Sequence, residues 1–222
     1  MSQLQLEGVI QEAEGEHKAT IIWLHGLGDS GNGFAPIAPE LKLPKEMGVK
    51  FIFPHAPIRP VTINNGMEMR AWYDIKSMDM ESRADLEGVL ESSKLVQDLI
   101  EQEIASGIPS NKILLAGFSQ GGVIALHLGT RYEKPLAGIV ALSTYMSAPQ
   151  SLASEKSEEN ANVPILCCHG LQDEVVPLFL GKGAYQSLTE NGYKAQWKEY
   201  VMQHNVCLPE INDISKFIQQ HL

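Results

Sequence analysis

The stretch Lys112-Ile113-Leu114-Leu115-Ala116-Gly117-Phe118-Ser119-Gln120-Gly121-Gly122-Val123 decides how this chain is read. Lys112–Phe118 is an apolar run of strand length, and Val123–Tyr132 continues with helical spacing. Between them Gly117-Phe118-Ser119-Gln120-Gly121 has the form G-x-S-x-G, which places a serine on a sharp strand-to-helix turn. The serine backbone is strained in such a turn, and a Cβ at either flanking glycine would strike the neighbouring strand or helix. A chance match is expected about once in ten chains of this composition, so the surrounding sequence has to carry the assignment.

Working outward, further apolar runs at Thr20–Leu24, Lys50–Phe53, Leu136–Leu142, Val163–Cys168 and Ala195–Val201 read as strands. Helical segments separate them. The clearest is Ser82–Ser106, where Leu86, Val89, Leu90, Val96, Ile100 and Ile104 suggest one apolar face before Gly107 and Pro109 stop the helix. Strands apolar at nearly every residue, alternating with amphipathic helices, predict an α/β fold with a mostly parallel central sheet covered on both faces. Leu4–Glu14 with the turn Gly15–Lys18 predicts an antiparallel hairpin at one edge. A length of 222 residues fits one such domain over 1–222. Only residues 143–162 separate the fourth strand of this series from the fifth, too few for a separate cap domain, so the site is expected to be open to solvent.

A serine nucleophile needs a base and a carboxylate, which follow it in this type of fold in the order Ser, Asp or Glu, His. After residue 119 the histidines are His127, His169, His204 and His221. His127 lies two turns into the helix that begins at the elbow, and His221 is penultimate. Asp173, in the turn Gly170-Leu171-Gln172-Asp173, is the single aspartate between Ser119 and His204. Asp173 and His204 each follow a predicted strand, at the carboxyl end of the sheet where ligands of open α/β sheets bind. His169 precedes any acid that could orient it, so Ser119, Asp173 and His204 are the catalytic candidates. The developing oxyanion needs two donors. One is the backbone N–H of Gln120, immediately after the nucleophile; the other is assigned to Leu27, whose flanking Gly26 and Gly28 let the loop after Thr20–Leu24 turn an N–H inward.

The net charge of −10 argues against nucleic acid or an anionic lipid surface as partner. Met1–Glu7 lacks a basic stretch followed by an apolar run, and no segment reaches membrane-spanning length. Cys167, Cys168 and Cys207 cannot build a disulfide framework, and a cytoplasmic location is expected. Histidine and cysteine spacings match no zinc pattern, and the inferred chemistry needs no metal or cofactor. Gly28-Asp29-Ser30-Gly31 imitates the serine segment of all-β proteases, but the other catalytic groups would lie on the wrong side of it.

The chain resembles the acyl-protein thioesterase and carboxylesterase group of small serine hydrolases, the phospholipase/carboxylesterase family. The resemblance is carried by Leu24-His25-Gly26-Leu27-Gly28-Asp29, Phe53-Pro54-His55-Ala56-Pro57, Arg59-Pro60-Val61-Thr62, Ala71-Trp72-Tyr73-Asp74, Gly117–Gly122, His169-Gly170 with Asp173, and Gln203-His204. It spans about residues 21–218 and departs from many relatives in having Asn205 after the histidine. It implies an α/β-hydrolase fold, the same triad and oxyanion donors, and cleavage of carboxylic esters or acyl thioesters. The partner would be a small acyl substrate or an acylated protein, and the chain could pair as a homodimer. Alternative readings are a lysophospholipase, or a non-catalytic acyl-binding protein on the same fold. By the same likeness Trp72 would line the acyl pocket. With Tyr73, Met67 and Met69 it belongs to the long Pro54–Asp79 connection, expected to cover a shallow apolar groove.

Overall fold

The computed structural model describes residues 6–77 and 84–222. The strands are β1 (Gly8–Gln11), β2 (Ala19–Leu24), β3 (Val49–Pro54), β4 (Ile58–Val61), β5 (Met67–Arg70), β6 (Ile113–Phe118), β7 (Gly138–Leu142), β8 (Ile165–Gly170) and β9 (Ala195–Tyr200). The helices are α1 (Gly31–Phe34), α2 (Ile37–Glu40), α3 (Leu86–Ala105), α4 (Gln120–Arg131), α5 (Leu152–Glu155), α6 (Leu178–Glu190) and α7 (Leu208–His221). Seven strands form one sheet in the order β1-β3-β2-β6-β7-β8-β9, parallel throughout except for β1.

Every residue of β2, β6, β7 and β8 is buried, because alternate side chains enter two separate cores. Ile22, Leu24, Leu115, Ile139 and Cys167 pack on the side of α3, α4 and α6. Ile21, Trp23, Leu114, Val140 and Cys168 face the other side, against Ile37 and Ala38 of α2 and Ile214, Phe217 and Ile218 of α7. This is the mostly parallel α/β sheet covered on both faces that the alternation of apolar strands and amphipathic helices predicts.

Three local expectations are corrected. The N-terminal strand does not form a hairpin with β2; β1 pairs antiparallel with β3, Val9 opposite Phe53, because β2 is already flanked by β3 and β6. The expected start of that strand at Leu4 lies outside the described residues, as does the expected helix start at Ser82. On α3, Leu86 and Leu90 are exposed. The expected Val89, Val96 and Ile100 are buried, and Gly88, Ser92 and Glu103 join them where the neighbouring chain approaches too closely for a large side chain or offers polar partners. The Gly88 backbone abuts Tyr73 Cβ, while Glu103 accepts Thr20 Oγ1 and Lys50 Nζ, both at 2.7 Å. Finally, part of the Pro54–Asp79 connection is the hairpin β4–β5, whose turn residues Asn65 and Gly66 have φ of 55° and 74°. The Asn-Gly pair was its sequence signal.

Candidate active site

The register Leu24↔Gly117 and Phe118↔Leu142 brings the carboxyl ends of β2, β6 and β7 level, so the loops that follow them meet above the sheet. Ser119, the first residue beyond β6, has φ 53° and ψ −117°, a conformation that an L-residue occupies only at a cost of about 1–3 kcal/mol. The surroundings hold it there. Its N–H donates to Leu142 O at 2.9 Å, and Thr144 Oγ1 donates to Ser119 O at 2.6 Å. Both flanking glycines are sterically required: a Cβ at Gly117 would lie 2.2 Å from Gly121 O, and one at Gly121 would lie 2.3 Å from Leu24 O. Gly121→Ala is therefore expected to push the β2–α1 loop away from the elbow and to destabilise the protein by on the order of 3 kcal/mol, read by urea unfolding. Wild-type stability would mean that the turn tolerates this crowding.

Asp173 and His204 come from the next two strand ends, and their loops are sewn together. Leu171 N donates to Tyr200 O and Gln172 N to Met202 O, while Gly170 allows Gln203 O to approach to within 2.4 Å of where a Cβ would be. Asp173 is buried. Its Oδ1 accepts the amides of Val175 and Val176 at 2.9 and 2.8 Å, and its Oδ2 accepts His204 Nδ1 at 2.7 Å. That bond occupies Nδ1 and leaves Nε2 as the nitrogen able to take a proton. The His204 ring packs 4.7 Å from the ring of Phe118, the residue before Ser119. His169 is buried with its Nε2 on Val176 O, and burial holds its imidazole below the ordinary range.

The loop after β2 passes directly over the elbow, a Cβ at Gly26 lying 3.5 Å from Ser119 Cβ. Gly28 N donates to Arg70 O and Asp29 N to Gly26 O; among the described residues no acceptor takes the N–H of Leu27 or of Gln120. Gln120 is the first residue of α4, where an amide has no intrahelical partner. His25 is fully buried, and burial holds it neutral. Its Nε2 accepts Ala56 N at 3.0 Å, so the proton sits on Nδ1 and is donated to Gly26 O at 2.7 Å.

Trp72 and Tyr73, expected in the acyl groove, are both fully buried beneath this loop. Met69 is half-buried with its sulfur toward Gly28, and Met67 is exposed on the hairpin. Two openings lie nearby: one of ≈ 770 Å³ lined by Gln172, Val175, Met202, Gln203 and His204, and a more apolar groove of ≈ 740 Å³ lined by Tyr145, Met146, Pro149, Phe179, Leu180 and Ala184. The apolar groove begins one residue beyond Thr144, the group that holds Ser119 O. Sequence reading missed it because its walls come from the loop after β7 and from α6, which join only in the folded chain. Phe179, exposed at the start of α6, was the available signal.

An elbow serine, an Asp–His pair and two free amides at the carboxyl edge of a parallel sheet define a serine hydrolase of the α/β-hydrolase class. Residues 6–222 match the Phospholipase/Carboxylesterase family, and the chain belongs to it. It is 41% identical to acyl-protein thioesterase 1 of Neurospora crassa, over 95% of this chain and 89% of that one. The crystal structure of Arabidopsis thaliana SOBER1 superposes with a TM-score of 0.87 at 36% identity, covering 92% of this chain and 99% of that one. Zea mays acyl-protein thioesterase 2 gives 0.87 at 31%, covering 97% and 98%. The chain is a hydrolase acting on ester or thioester bonds. Among the described residues no helix is long and apolar enough to cross a membrane.

Proposed function

We propose that this single hydrolase domain removes acyl groups from thioester-linked and ester-linked carriers, acylated proteins among them, through an acyl-serine at Ser119. The observation that carries the reading is the 2.7 Å bond from His204 Nδ1 to buried Asp173, beside a serine held at φ 53°. His204 Nε2 takes the Ser119 proton as Oγ attacks the acyl carbonyl, and Asp173 stabilises the imidazolium. The amides of Leu27 and Gln120 hold the oxyanion, each worth about 3–4 kcal/mol of barrier. His204 returns the proton to the departing thiol or alcohol. Water, deprotonated by the same nitrogen, then cleaves the acyl-serine. The groove from Tyr145 to Ala184 receives the acyl chain; Trp72 and Tyr73 support the site from below.

The acylated-protein substrate rests on likeness to the thioesterases above. Three free cysteines, two of them in the core with the Cys167 thiol pushed up to about 12 by burial, support a reducing, cytoplasmic setting. Fluorophosphonate labelling followed by intact mass is expected to add one adduct to wild type and none to Ser119→Ala. An unlabelled wild type would leave the acyl-binding protein as the better reading. A substrate panel then ranks palmitoyl-thioester peptide, p-nitrophenyl esters and lysophospholipid. Preference for the lysophospholipid would displace the thioesterase assignment.

A further inference from the structure

The two oxyanion amides sit on different elements, one on the β2–α1 loop and one on the first turn of α4. The sheet aligns the strands beneath them, through Leu24 opposite Gly117, but both amides lie beyond the last ladder bond. Something else has to set their separation, because a displacement of about 1 Å at such a site costs on the order of 100-fold in rate.

One buried segment touches both. Gln120 Oε1 accepts Trp72 N at 2.8 Å, and Gln120 Nε2 donates to Tyr73 O at 2.6 Å. From the same residue, Trp72 Nε1 donates to His25 O at 2.9 Å, and the indole packs 5.3 Å from the His25 ring. His25 in turn holds Gly26 O, the carbonyl immediately before the Leu27 amide. The segment is anchored from below by Ser92 Oγ, which donates to Trp72 O. Gln120 is 2% exposed and Trp72 and His25 are 0% exposed, so the path from one amide to the other is dry throughout. Buried polar networks with every member satisfied hold their geometry stiffly.

We infer that the Gln120 side chain and Trp72 are positioning residues that set the spacing of the two oxyanion donors, a bridge running Gln120–Trp72–His25 beneath the reacting carbonyl. The inference rests on the oxyanion assignment above and deepens it. Neither side chain touches substrate. Gln120 thus has two duties: its main-chain N–H is a donor, and its carboxamide holds the other donor's loop at the right distance. The competing reading is structural, since Gln120 also satisfies the main chain of Trp72 and Tyr73, which belong to no strand.

The two readings part on kinetics. Gln120→Met keeps the volume and removes both carboxamide bonds; Trp72→Phe keeps a ring and removes the bond to His25. Each is expected to lower kcat about 10- to 100-fold on a p-nitrophenyl ester, with KM within about 3-fold of wild type. Affinity for an alkylboronic acid, whose tetrahedral adduct places an oxygen in the same hole, is expected to fall by the same factor as kcat. Because both substitutions cut one bridge, the double variant is expected to lose little beyond the worse single variant. Wild-type kcat and boronate affinity in either single variant would overturn the bridge, as would losses that multiply in the double variant or a fall in thermal midpoint alone. If Gln120→Met does not fold, Trp72→Phe decides. Fluorophosphonate labelling of the wild type is read separately: without it the triad reading falls, whereas with labelling and unaffected variants only the bridge does.

Discussion

Asp173→Asn is expected to lower kcat about 10,000-fold while leaving the thermal midpoint within a few degrees of wild type. The size of the loss follows from where the two carboxylate oxygens point. Oδ1 accepts two main-chain N–H groups, from Val175 and Val176, so in asparagine that position has to be the amide oxygen. The amide nitrogen is then turned toward His204. It presents two hydrogens to Nδ1, which must accept one, and the ring proton moves to Nε2. A histidine protonated on Nε2 cannot accept the Ser119 proton, so the geometry survives and the chemistry stops. Steady-state kinetics on a chromogenic ester, with a thermal melt as control, checks this. A loss smaller than about 10-fold would mean that Asp173 does not set the tautomer of the base, and Glu174 beside it would need examination.

Glu210→Gln is expected to stabilise the protein, and increasingly so as pH rises. Glu210 is fully buried at the start of α7, and Cys207 N donates to its Oε2 at 3.4 Å, while Oε1 finds no partner among the described residues. Burial raises its pKa from 4.5 to about 8. The native protein therefore keeps a proton that the unfolded chain releases above about 4.5. Stability contributed by this carboxyl is fully present below pH 4.5 and is lost progressively as pH rises to about 8, where the native group ionises as well. The full loss is on the order of 5 kcal/mol as an upper bound. Glutamine keeps an oxygen for the Cys207 amide and has nothing to titrate. Urea unfolding of both proteins between pH 5 and 9 should give near-equal stabilities at the acid end and a gap that widens to the alkaline end. A gap independent of pH would show that Glu210 does not bind this proton. The loop Val201–Cys207 that carries His204 leads directly into this helix, so the cost of a buried charge at Glu210 in alkali falls beside the site as well as on the fold.

The regions where expectation and structure part share one physical feature: they depend on what a distant segment brings. On α3 the expected Val89, Val96 and Ile100 are buried, but Leu86 and Leu90 are exposed, and Gly88, Ser92 and Glu103 share the buried face. What Trp72 O, Tyr73 and Lys50 require decides the rotation of that helix, and none of them is near it in the chain. Trp72 is put in the groove by the resemblance alone; its main-chain and indole N–H groups, donating to Gln120 and His25, turn it inward. The β1–β3 pairing could not be read either, since a strand's own sequence does not name its neighbour.

What the chain determined alone was whatever steric rule operates within a few residues. Gly117 and Gly121 are demanded by contacts inside one strand-turn-helix unit, and strands apolar on every residue can lie only in a doubly covered sheet. The order Ser119, Asp173, His204 along the chain also needed no coordinates, because each follows its own strand. Only the tertiary structure decided that Asp173 and His204 meet at 2.7 Å, that the apolar groove lies between the β7 loop and α6, and that Trp72 is hydrogen-bonded to both Gln120 and His25. Each of these is a distance between segments far apart in sequence. Such distances are set by packing of the whole sheet, to which no local window has access.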